Sequence, residues 1–146
     1  MRFITDTMTR HHRDCDRAFR RADEALARPD WAAVEREAGR FLREMARHID
    51  LEEDVLFPAF EQATGMTRGP TGVMRMEHAR MREAFAQMRA AIAVQDAPKY
   101  RDASAGLIAL LQQHNLREEG ILYPMLDRSL GDKTRSLVEK VEALLA

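Results

Sequence analysis

Shifted by 66 residues, the chain falls onto itself without a gap. His12 meets His78, Phe19 meets Phe85, His48 meets His114, Glu52 meets Glu118, Glu53 meets Glu119, Leu56 meets Leu122 and Pro58 meets Pro124. Residues 1–65 share 15 identities with their partners, against roughly 4 or 5 expected from average residue usage. Agreement is densest in HIDLEEDVLFP (48–58) and HNLREEGILYP (114–124). A duplicated helix hairpin explains the register. It does not explain why histidine and glutamate, which core packing would not select, persist in both copies.

Apolar residues recur at helical spacing in four stripes. These are Met8, Cys15, Phe19, Ala22 and Leu26; Val34, Ala38, Phe41 and Met45, continuing to Val55 and Ala59; Met74, Met81, Phe85, Met88 and Ile92; and Tyr100, Ser104, Leu107 and Leu111, continuing to Ile121 and Met125. Nothing alternates with the period of two that a strand needs. Helix boundaries are expected at Arg28-Pro29-Asp30, with Asp30 as a cap, and at the loop 64–72, with Thr71 as a cap. Others fall at Asp96-Ala97-Pro98 and at 129–132. The pattern predicts an all-α, up-down-up-down four-helix bundle over about 5–128, with a short C-terminal helix over about 132–145.

Composition narrows the function classes. The 146 residues suit one domain,. A net charge of −1 excludes a strongly basic nucleic-acid binder,. One cysteine cannot form an intrachain disulfide,. No apolar run reaches the ~20 residues of a membrane helix, and the N-terminus lacks the apolar core of a signal peptide. A cytoplasmic protein without membrane or nucleic-acid partners is expected, and a homo-oligomer is compatible with the sequence.

The gaps in the stripes carry the chemistry. His12 stands between Met8 and Cys15, His48 and Glu52 between Met45 and Val55, His78 between Met74 and Met81, and His114 and Glu118 between Leu111 and Ile121. Each glutamate follows its histidine by four residues, so the pair shares a helical face. His12 precedes Pro29 by 17 residues and His48 follows it by 19; His78 precedes Ala97 by 19 and His114 follows it by 17. At ~1.5 Å per residue the mismatch is about 3 Å, so all six side chains are expected in one layer. Unpaired carboxylates there would cost several kcal/mol each, and no lysine or arginine falls on the stripes at that level. Four imidazoles and two carboxylates suit iron, manganese or zinc. If both glutamates bridge, each of two metals receives two nitrogens and two oxygens. Six-coordinate metals then keep positions for a bridging oxo or hydroxo group and an outside ligand. The alternatives are hydrogen-bonded core histidines with surface glutamates, and a single metal with fewer ligands.

This pattern resembles the hemerythrin-like, HHE cation-binding family: a lone His on helices one and three, and His-x-x-x-Glu on helices two and four. The resemblance implies a non-haem centre of two iron ions, with manganese or zinc as substitutes, held by His12, His48, Glu52, His78, His114 and Glu118. Oxygen carriers of the family have a further His four residues after the helix-three ligand, where this chain has Arg82. They also have a fifth His giving unequal irons; the spare here is His11.

The neighbours are weighed in the same way. His11 is expected off the stripe, at the surface or supporting a ligand, and dispensable for metal binding; the alternative is a fifth ligand. Cys15 reads as a small buried hydrophobe, or else as a thiol that responds to redox change near the metals. Glu53 and Glu119 are rotated off the core, where they orient ligands, pair with arginines or are solvated. Tyr123 matches Phe57 and is assigned to packing, with an electron relay or a hydrogen-bond donor at the metal as alternatives. Pro58 and Pro124 are expected to kink their helices just past the ligands.

The first functional reading is a binder or sensor of oxygen, nitric oxide or peroxide in stress or iron handling. The rivals are a redox enzyme reducing peroxide or nitric oxide with outside electrons, and iron storage or donation.

Overall fold

The computed structural model describes residues 3–146, and every regular element among them is helical. Helix α1 (Ile4–Ala27) and α2 (Trp31–Leu51) form the first hairpin, and a π-helical turn over Glu52–Leu56 carries α2 into α3 (Phe57–Thr64). The second hairpin repeats this plan with α4 (Pro70–Ala93), α5 (Ala97–Arg117), a π-helical turn over Glu118–Leu122 and α6 (Tyr123–Leu130). A 3₁₀ turn over Gly131–Lys133 leads into α7 (Thr134–Leu145). The two hairpins pack as an up-down-up-down bundle: α1 lies on α2, α4 on α5, α2 on α4, and α1 on α6. Helix α7 covers α1, α2 and α6.

Local chemistry sets these boundaries, and the repeat uses it twice. Asp30 accepts from the Ala33 amide at 3.1 Å and its counterpart Asp96 from the Lys99 amide at 3.0 Å, so each opens its hairpin's second helix,. Gly65 and Gly131, also counterparts, close α3 and α6 with φ of 75° and 52°, a region that favours glycine,. Thr71 is not the cap expected of it. Pro70 already occupies the first turn of α4, where its missing N–H costs nothing,. The Thr71 hydroxyl instead donates to Glu61 at 2.7 Å. Its counterpart Thr5 donates to Asp127 at 2.7 Å, and Asp127 also accepts from the Ile4 amide at 2.7 Å. Each half thus ties the start of the other.

The stripes hold as far as the glutamates and then shift by one residue. Beyond Glu52 the buried residues are Leu56, Phe57 and Phe60, while Val55 and Ala59 are only half-buried. Beyond Glu118 they are Leu122, Tyr123 and Leu126, while Ile121 is 56% exposed. The π turns are the cause. The Phe57 amide donates to Glu52 and the Tyr123 amide to Glu118, each spanning five residues, so the inward face rotates by roughly one residue. The break thus begins at the ligand-type glutamate and ends just before the proline, earlier than the kink expected from proline alone.

Two apolar clusters result. One joins Cys15, Phe19, Phe41, Met45, Met81, Phe85, Leu107 and Leu111 at the end holding the hairpin links. The other joins Ile4, Met8, Leu56, Phe57, Phe60, Met74, Leu122, Tyr123 and Val138 under α7. The histidines and glutamates of the stripe gaps lie between them.

Candidate metal centre

His12, His48, Glu52, His78, His114 and Glu118 are each at most 1% exposed. The bundle brings all six together. Ligand-type atoms of Glu52, His78, His114 and Glu118 lie within 4.8 Å of one another, as do those of His12, His48 and Glu118. The glutamates span both groups. Glu118 puts Oε1 3.1 Å from His12 Nε2 and Oε2 3.2 Å from His114 Nε2. Glu52 puts Oε1 3.1 Å from His78 Nε2 and Oε2 3.7 Å from His48 Nε2.

Every imidazole turns Nε2 inward because something holds its Nδ1. Glu119 lies 2.8 Å from His12 Nδ1, Glu53 2.9 Å from His78 Nδ1 and Glu77 2.8 Å from His114 Nδ1. A carboxylate behind Nδ1 fixes an N–H there, so that Nε2 is the nitrogen each ring turns to the centre. Arg82 donates to Glu53 at 2.9 Å, and Arg117 pairs with Glu77. The arginines therefore act one step outside the histidines. Glu53 and Glu119 take the orienting role, each reaching across to the other half.

His48 is held differently. Its Nδ1 lies 2.8 Å from Nδ1 of His11, whose Nε2 lies 3.0 Å from Glu44. Because a carboxylate only accepts, Glu44 takes the His11 Nε2–H. His11 Nδ1 then accepts from His48 Nδ1–H, and His48 Nε2 is free to face the centre. His11 is 7% exposed and stacked on His48 with ring centroids 5.1 Å apart. It is buried in support of His48, one of the two places the sequence allowed it, because the wide α1–α2 contact covers the flank of the stripe as well as its crest.

Burial decides the protonation of this cluster. Desolvation and the nearby Glu118 carboxylate push Glu52 well above the usual carboxylate range. Glu118 goes the other way: burial opposes its charge, but Glu52 and the His114 and His12 imidazoles beside it hold it well below that range. Burial also disfavours charge on His12, yet Glu118 and Glu119 overcome it and raise the imidazole to about 9. Desolvation lowers His78 to about 4 and takes His48 well below its ordinary value, with His12 adding to the fall.

Glu52 Oε1, Glu118 Oε2 and His78 Nε2 are buried yet make no hydrogen bond among the described residues. His78 Nε2 lies 3.1 Å from Glu52 Oε1 and 4.0 Å from Glu118 Oε2, so the three atoms stand close together with their polar valences unused. The donor set fits a divalent or trivalent first-row metal, since imidazole and carboxylate suit iron, manganese and zinc alike.

One side chain departs from its sequence role. Tyr123 does more than pack: it is fully buried, with its hydroxyl 2.8 Å from Glu52 Oε2 and 3.0 Å from Glu118 Oε1. The LYP–LFP pairing in the repeat was the available signal, but the unseen π turn hid the side chain's direction. Cys15 is 1% exposed, and burial, with Glu44 second, pushes its thiol far up, so it stays protonated as a small buried group,.

Fold and site together define a helical-bundle metal-binding protein whose ligand-type residues come in matched pairs from two hairpins. The family model of the hemerythrin HHE cation-binding domain matches residues 4–126, and the chain belongs to that family. No curated protein and no solved structure matches it. Among the described residues no helix is long and apolar enough to cross a membrane.

Proposed function

We propose that the protein holds two iron ions with His12, His48, Glu52, His78, His114 and Glu118, and binds a small diatomic molecule or peroxide there. One observation carries the reading: four Nε2 atoms and both carboxylates converge in a layer sealed by apolar clusters on either side. A metal pair in that layer supplies open positions for a small ligand and a change of oxidation state on meeting it. The chain's own groups do the rest. Glu53, Glu77, Glu119 and the His11–Glu44 pair orient the imidazoles, and the clusters keep bulk water away from the reacting groups. We read residues 1–146 as one domain built from a duplicated hairpin, working in the cytoplasm to sense or handle oxygen, nitric oxide or iron under stress.

Two nitrogens per iron make a carboxylate-rich centre that favours the oxidised metal. Stopped-flow mixing of the iron-loaded, reduced protein with oxygen is therefore expected to give an absorbance change that argon does not reverse. Nitric oxide is expected to bind the reduced form. A stable oxygen adduct that releases its ligand under argon would make the protein an oxygen carrier, and steady turnover with peroxide and a reductant would make it an enzyme.

A further inference from the structure

The duplication predicts two equivalent metal positions, and the structure breaks that equivalence at one side chain. Phe57 and Tyr123 are counterparts, each the residue that closes its π turn and each fully buried. Phe57 stacks on His78, ring centroids 5.7 Å apart, and brings no polar atom. Tyr123 packs beside His12, centroids 5.8 Å apart, and carries a hydroxyl into the cluster. That oxygen lies 2.8 Å from Glu52 Oε2, 3.0 Å from Glu118 Oε1, and 3.2 Å from both His12 Nε2 and His48 Nε2. Among the described residues, all its hydrogen-bond contacts are with these four atoms.

We propose that Tyr123 is itself a ligand of the metal between His12 and His48, making the two metal positions unequal by one phenolic oxygen. This deepens the metal-centre reading above and rests on it. The spacing of the hydroxyl from its neighbours points to a metal. Metal–nitrogen and metal–oxygen bonds of about 2.0–2.2 Å place ligands at right angles roughly 3 Å apart, since the edge is √2 times the bond. The hydroxyl keeps that spacing from four atoms at once. A phenol has one proton to donate and two lone pairs with which to accept, so hydrogen bonding accounts for at most three of the four close approaches. A metal bonded to all five atoms accounts for all four.

On this arrangement the His12–His48 position has two nitrogens and three oxygens, and the His78–His114 position two nitrogens and two oxygens. The less filled position takes the incoming small ligand. A hard phenolate oxygen stabilises the trivalent state, so the metal beside Tyr123 is the harder of the two to reduce. On binding, the O–H bond breaks, the metal–oxygen bond forms and the proton leaves to solvent; no electron is transferred.

The test loads the full chain anaerobically with ferrous ammonium sulfate and oxidises it with ferricyanide. Wild type is expected to show a visible phenolate-to-iron(III) charge-transfer band, with phenolate ring vibrations enhanced by excitation in that band. Tyr123→Phe keeps the ring and copies Phe57. It is expected to retain two irons while losing both signals. Wild type with two irons and no phenolate vibrations would overturn the proposal without need of any variant, as would a band unchanged in Tyr123→Phe. Wild type that binds no iron would overturn the metal-centre reading itself, and this proposal with it.

Discussion

His11 stands with its Nδ1 2.8 Å from that of His48, in the place where its counterpart Glu77 meets His114 at 2.8 Å. The repeat conserves the geometry of the support and changes its chemistry from carboxylate to imidazole. His48 is thus the one imidazole of the four whose Nδ1 faces another imidazole, with the carboxylate of Glu44 one step further out.

His11→Ala should therefore weaken metal binding, against the sequence expectation of no effect. Loss of such an outer partner typically costs about 10–100-fold in affinity. His11→Glu, which copies the other half, should recover most of it. Titration against a competing chelator measures both, and wild-type affinity in His11→Ala would remove this role.

Glu52→Ala and Glu118→Ala should each cost most of the bound metal and lower the melting temperature of the loaded protein, because binding energy adds to folding. The metal-free variants should differ. Glu118 is an ionised partner of the His12 imidazolium, and removing it leaves that buried charge with Glu119 alone, at a cost of up to about 3–5 kcal/mol. Glu52 is held neutral by burial beside Glu118, so its removal should cost less. Denaturant unfolding in excess chelator separates the two, and equal losses would contradict this protonation pattern.

Metal affinity should rise with pH up to about 9. His12, raised to about 9 by Glu118 and Glu119 against burial, carries a proton at neutral pH that a metal must displace. That group alone contributes about tenfold per pH unit below 9 and nothing above. Affinities measured at pH 7, 8 and 9 check this; a flat profile would mean that His12 is already neutral.

The metal-free protein should be most stable near pH 6.5. The raised His12 stabilises fully below its ordinary 6.5, and that contribution fades as pH rises through about 9. Buried His78 runs the other way. Held down to about 4, it stays neutral in the fold while the unfolded chain takes up a proton below 6.5, so stability falls as pH drops from 6.5 towards 4,. Melting curves in chelator between pH 4 and 10 should be dome-shaped.

Iron content should approach two per chain, since both glutamates present one oxygen to each histidine pair. Elemental analysis of protein from iron-rich culture gives the ratio. One metal per chain with all six side chains intact would rule out the paired arrangement.

Much of this protein was legible before folding. Helical spacing, Asp30 as a cap, and the breaks at 28–30 and 96–98 are local properties, so sequence alone gives four helices and their order. The 66-residue register gives more: it marks His12, His48, Glu52, His78, His114 and Glu118 as paired gaps in apolar stripes. What stayed hidden depended on contacts between distant residues. The π turns at Glu52 and Glu118 rotate the following face by one residue, which buried Leu56 and Leu122 in place of Val55 and Ile121 and swung the Tyr123 hydroxyl into the cluster. No periodicity fixed in advance reports such an insertion, because the backbone adopts it to satisfy packing across the bundle. The holders of Nδ1 were equally invisible. Glu119 reaches His12 across 107 positions and Glu53 reaches His78 across 25, and only the docking of the two hairpins decides which carboxylate stands behind which imidazole.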